Sequence, residues 1–150
     1  MFATTWFRIV VSALLLGAGG AAGAQGAGGP PDGLPAALVA WAASDFAAHG
    51  PRPERIRNAH VRYAEGEDGG VRRYMLCGQF LPAGGGAKPG GAKPGWTQFA
   101  TIATDPYEQW IGGQAEALCA RARPSGGRVG DLSSTLEARL HRGRASARRP

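Results

Sequence analysis

Val71-Arg72-Arg73-Tyr74-Met75-Leu76-Cys77-Gly78-Gln79-Phe80-Leu81 (VRRYMLCGQFL) is the stretch on which the fold turns. In an extended chain Tyr74, Leu76 and Phe80 share one face, and Met75 and Cys77 lie on the other. Just upstream, Arg57 to Tyr63 (RNAHVRY) alternates in the same way. Ala59, Val61 and Tyr63 fall on one side and Asn58, His60 and Arg62 on the other, the pattern of a half-buried strand. Between the two lies Glu65 to Gly70 (EGEDGG), whose Asp68-Gly69 pair readily supplies the positive φ of a tight turn. The two segments are therefore predicted to form a hairpin.

Working outward, Trp96 to Ala103 (WTQFATIA) reads as a third strand, rich in Thr and aromatics. It runs into Thr104-Asp105-Pro106. There Asp105 suits an N-cap, Pro106 the first helical position and Glu108 the reciprocal capping bond, which predicts a helix to about Ala122. Ile111, Ala115 and Cys119 would form its buried stripe. Gly112-Gly113 inside it costs about 1 kcal/mol per glycine relative to Ala, and marks either close packing against the sheet or a break. Before the hairpin, a helix is predicted from near Pro35 to His49, ending at Gly50-Pro51. Leu38, Ala42 and Phe46 recur at helical spacing, with Leu34 and Trp41 beside them, so Trp41 reads as core. The stretch Pro82 to Gly95 contains GGAKP at 85–89, repeated unchanged at 90–94. Lengthening a loop costs only about 0.6 kcal/mol per doubling, and no phosphate-loop pattern accompanies Lys88 and Lys93.

The N-terminus has the order of a secretory signal: a charge at Arg8, an apolar core from Ile9 to Leu16, then small residues from Gly17 to Ala24. Ala22-Gly23-Ala24 places cleavage before Gln25. The apolar run is shorter than the roughly 20 residues needed to span a bilayer, so no transmembrane span is expected in the mature chain. The predicted organisation is a signal peptide at 1–24, a linker at 25–33, an α+β domain at 34–122 and an Arg-rich flexible tail at 123–150. The net charge of +6 belongs to that tail. Gln25 to Ala120 holds eight basic and nine acidic residues, whereas Arg121 to Pro150 holds eight arginines against two acids. For an exported chain this leaves two readings of the tail, attachment to an anionic envelope surface or a solvated, disordered extension with no partner, and points away from nucleic acid. Leu132, Leu136 and Leu140, with Arg139 and Arg142 beside them, offer a weak basic amphipathic stretch.

Cys77 and Cys119 are the only cysteines. In an oxidising compartment two lone thiols pair, so a Cys77–Cys119 disulfide is expected between the second strand and the last helix. His49, His60 and His141 are scattered, with no metal-ligand spacing, and no cofactor is implied. Cys77 with His60 is the only conceivable nucleophile–base pair, since adjacent strands could bring them together; pairing of Cys77 with Cys119 would remove it. No nucleophile elbow is present. Glu65, Glu67 and Asp68 sit in a turn, where carboxylates stay solvated. No catalytic, cofactor-binding or metal residues are assigned.

Taken together, Arg57-Asn58, Met75 to Phe80 (MLCGQF), Gly95 to Phe99 (GWTQF), Trp110 and Cys119 resemble small exported proteobacterial proteins of unknown function. These share an RN…CG…G-aromatic-xx-F…W…C pattern. The resemblance covers roughly Ile56 to Cys119 and implies a periplasmic α+β domain with a disulfide and no assigned activity.

The fold expected is α+β: an N-terminal helix, a three-stranded antiparallel sheet, a C-terminal helix on one face, one disulfide and a disordered basic tail. The function expected is that of a non-enzymatic periplasmic or secreted domain, a binding or accessory envelope protein. The alternatives are attachment to the envelope through the tail, and a thiol or hydrolytic enzyme using Cys77 and His60.

Overall fold

A computed structural model describes residues 29–66, 70–84 and 95–147. The signal peptide read at 1–24, the start of the linker, the Asp68-Gly69 turn and the tandem repeat with Lys88 and Lys93 lie outside the described residues.

The first element is α1, Leu34–His49. Pro35 occupies its first turn, where a missing N–H costs nothing, and Gly50 ends it with φ 61°. Leu38, Val39, Ala42, Ala43 and Phe46 form its buried stripe. Trp41 is partly buried and stacks on Tyr107, ring centroids 5.5 Å apart.

Four strands precede the second helix or lead into it: β1 (Pro53–Glu65), β2 (Arg72–Pro82), β3 (Thr97–Ile102) and β4 (Glu108–Ile111). Then come α2 (Gly113–Arg121), the two-residue β5 (Arg123–Pro124) and α3 (Ser133–Ala147). The sheet is antiparallel with order β4-β3-β2-β1-β5. The predicted hairpin is present: β1 and β2 pair from Glu65↔Arg72 to Pro53↔Pro82.

A bulge in β1 decides which side chains face where. Arg57 pairs with Gln79 and His60 with Cys77, so three steps on one strand match two on the other. Asn58 absorbs the extra residue with φ 54°, a left-handed conformation that Asn tolerates better than bulkier residues. Ile56 and Ala59, an odd number of residues apart, consequently enter the same core. In an uninterrupted strand they would point to opposite faces.

The molecule has three layers. On one face of the sheet α1 and α3 pack side by side over Ile56, Ala59, Val61, Leu76, Phe80 and Phe99. On the other, α2 covers Met75, Cys77, Ala100 and Ile102 with Ala115 and Cys119. Gly78 lies between these demands. A Cβ there would come 2.7 Å from Phe99 ring carbons and 3.1 Å from the Ala59 Cα, so the sheet closes at this point only over a glycine.

Three expectations need correction. The sheet has five strands, not three. The helix predicted from Asp105 does not begin there: Glu108 to Ile111 pair with β3, and the Glu108 carboxylate accepts from Trp110 Nε1 at 3.0 Å. Gly112, at φ 76°, is the break between that strand and α2. The residues from 123 to 147 are not a disordered tail. Arg123 and Pro124 pair with Tyr63 and Arg62, and Leu136 and Leu140 are 0% and 9% exposed. The leucine stripe that could have met a membrane fills the space over β1 beside α1. Glu137 Oε1 also accepts from the Ile56 N–H at 2.6 Å.

Candidate functional site: the polar groove beside α2

Because α2 is short, it covers only part of its face of the sheet. The uncovered remainder, along β1 and the near ends of β2 and β3, is a groove of about 440 Å³. Its side chains arrive there by strand alternation and by the bulge. His60 and Arg62 come from β1 with Asn58 turned onto the same side, Gln79 from β2, Gln98 from β3 and Glu116 from α2. The Cys77–Cys119 disulfide forms part of the lining.

Several of these groups are already committed. The Arg62 guanidinium donates to the carbonyls of Cys119 (3.4 Å) and Ala122 (3.2 Å). It thereby caps the end of α2, where a cation complements the helix dipole. Arg57 lies over the Trp96 ring at 4.0 Å and donates to Gln79 Oε1 at 2.8 Å, which fixes the orientation of that amide. His60 Nε2 stands 3.9 Å from Asp131 Oδ2.

Asp131 ties the loop ahead of α3 to the bulge. Its Oδ1 accepts from the Ser133 N–H (2.8 Å), from the Ser133 hydroxyl and from the Ala59 N–H (3.2 Å). The Leu132 N–H in turn donates to the Ala59 carbonyl at 2.8 Å. The bulge frees these Ala59 groups from the ladder, and the loop satisfies them. Partial burial, the largest single influence, acts to raise the Asp131 carboxyl. The hydrogen bonds from Ser133 and Ala59 and the charge of His60 together outweigh it, so Asp131 ionises below its ordinary value.

The expected disulfide is formed, with Cys77 and Cys119 Cα atoms 5.9 Å apart. His60 and Cys77 are direct cross-strand partners, so the geometry brings together the pair singled out from the sequence. The Cys77 sulfur is nonetheless bonded to Cys119, and no described cysteine carries a free thiol. Of the other histidines, His49 meets Asp45 on α1 and His141 lies on α3. Among the described residues no group of three His, Cys, Asp or Glu could hold a metal ion. No described helix is long and apolar enough to cross a membrane.

Sequence reasoning did not assemble Asn58, Gln79, Gln98 and Glu116. The signal was present in the polar face of the RNAHVRY strand, but bringing these groups together also needed the bulge and the position of α2. The aromatic residues do not ring a common cleft. Tyr63 meets Tyr74, Trp96 lies under Arg57, and Trp110 is 36% exposed.

The class defined by this fold and groove is a small disulfide-pinned α+β domain with one face left partly open. No family model, curated protein or solved structure matches the chain.

Proposed function

We propose that this chain is an exported, non-enzymatic binding domain, periplasmic or secreted, and that its ligand sits in the groove beside α2. The carrying observation is the convergence of three carboxamides, an imidazole and a carboxylate around an open groove of about 440 Å³. That volume is in the range of small-molecule sites. Carboxamides present a donor and an acceptor together, so the ligand class that fits is a small polar molecule bearing hydroxyl or amide groups. Export is supported by the charged, apolar, small-residue order of the N-terminus and by the joined cysteines. The resemblance to small exported proteobacterial proteins of unknown function adds to this reading, and two of the residues that carry it have a structural part here: Asn58 forms the bulge and Gly78 the close approach.

Titration of ¹⁵N-labelled protein with neutral mono- and disaccharides and with dipeptides tests the reading. A ligand should shift the side-chain amide signals of Asn58, Gln79 and Gln98, and Gln79→Ala with Gln98→Ala should abolish the response. Shifts confined to α1 and α3, or binding unchanged in the double variant, would refute it.

A second reading is attachment to an anionic envelope surface through the arginines of 121–150, favoured by eight arginines against two acids there. Sedimentation with envelopes at low salt that disappears at high salt is its expected mark.

A further inference from the structure

A second cleft, on the opposite side of the sheet, has a different chemistry. It opens between α1, the start of β1 and the last turns of α3, with a volume of about 380 Å³. Its floor is apolar, formed by Ala43, Phe46 and Leu140. Its rim carries the guanidinium groups of Arg52, Arg139 and Arg144, and no carboxylate lines it.

The three arginines differ in their commitments. Arg144 donates to the Pro53 carbonyl and closes one end of the cleft. Arg52 and Arg139 have no side-chain hydrogen bond or ion pair to any described residue. Two cations without an ion-pair partner among the described residues, held over an apolar floor, are half of a charge-complementary pair. Guanidinium groups suit the paired oxygens of a phosphate or carboxylate.

Gly143 is part of the cleft wall. It lines the opening from α3, and a Cβ built on it meets nothing within 4 Å. A larger residue can therefore be placed at this point of the lining without a clash at its Cβ.

We infer that the α1–α3 cleft binds one molecule of an anionic amphiphile, its phosphate or carboxylate held by Arg52 and Arg139 and its apolar part laid against Phe46 and Leu140. The volume lies at the lower end of small-molecule sites, which fits a single short chain or ring rather than a two-tailed lipid. The site is separate from the groove beside α2 and does not depend on what binds there.

The test is calorimetric titration of the intact chain, below micelle concentrations, with three probes: n-octyl phosphate, inorganic phosphate and n-octyl glucoside. Octyl phosphate should saturate at one site. The other two, each lacking one half of the chemistry, should bind about tenfold more weakly or worse. Arg52→Ala and Arg139→Ala should each weaken octyl phosphate binding roughly three- to fivefold, the scale of partly exposed charge pairs. Gly143→Leu should abolish it while leaving the circular dichroism spectrum unchanged. The two arginine variants alter exposed side chains, so they report on the site even if Gly143→Leu destabilises α3. Equal affinity for all three probes, or octyl phosphate binding unchanged in the double arginine variant, overturns the inference. Capture by anionic vesicles without binding of monomeric octyl phosphate overturns it as well.

Discussion

Removing the disulfide should cost this domain a large part of its stability, and the size of the loss follows from the topology. Cys77 and Cys119 are 42 positions apart. For a loop of that length the chain-entropy relation gives about 4 kcal/mol at 25 °C, as an upper figure. Domains of this size are stable by only about 5–15 kcal/mol in total. Besides the bond, α2 is held to the sheet by a small contact set: the buried Ala115, the part-buried Leu118 and the Arg62 hydrogen bonds at its end. The Cys77→Ala, Cys119→Ala double variant should therefore lose about 3–4 kcal/mol in urea unfolding followed by tryptophan fluorescence. At roughly 4–8 °C per kcal/mol its melting temperature should fall by at least about 12 °C. Amides of α2 should lose hydrogen-exchange protection first, while β1 and β2 keep theirs up to the global limit. A loss below about 1 kcal/mol, or α2 amides as protected as those of β2, would refute the view that the bond is the principal tie between helix and sheet.

Three further outcomes are expected. Gly78→Ala should destabilise by about 1–3 kcal/mol in the same unfolding assay, because the Phe99 ring it would strike is packed against Phe46 and Phe80 and cannot retreat. Leu136→Ala should cost about 2–5 kcal/mol; a neutral result would mean that α3 is not part of the core. Asp131→Ala should cost about 1 kcal/mol near neutral pH through loss of its contacts to Ser133 and Ala59. Because the folded carboxyl ionises below its ordinary value, its contribution is complete above the unfolded pKa and lost as pH falls through the folded one. The gap between wild type and Asp131→Asn should accordingly narrow in acid, measured by urea midpoints from pH 6 downward.

Wherever one local period ran unbroken over enough residues, the fold could be read from the sequence. Leu38, Ala42 and Phe46 marked α1, and the alternation in VRRYMLCGQFL marked both faces of β2. Alternation in the sequence reaches back only to Arg57, because the bulge at Asn58 breaks the phase of β1 and leaves Ile56 out of step with Ala59. Glu108 to Ile111 do not read as a strand, since four residues carry little periodicity and an Asp-Pro pair with Ile111, Ala115 and Cys119 imitates a capped helix. Composition hid α3: the abundant Gly, Ser and Arg outweighed three leucines that happen to face inward. The candidate groove was legible only in its pieces. His60 and Cys77 could be paired from the hairpin register, but Gln98 and Glu116 join them only through the order of the sheet.

The docking of α3 sets a schedule for folding. Its contacts to β1 close a span of 81 residues, from Ile56 to Glu137. A hairpin such as β1–β2 forms in roughly 1–10 μs once its residues are free. Synthesis at about 5–20 residues per second takes roughly 3 to 13 s to supply the chain from Pro82 to the end of α3. For those seconds Ile56, Ala59 and Val61 have no α3 above them, and most of β1 is an open sheet edge. A nascent chain therefore passes through a long interval in which its own final helix is missing, and a holding chaperone would bind the surface that Leu136 and Leu140 later occupy.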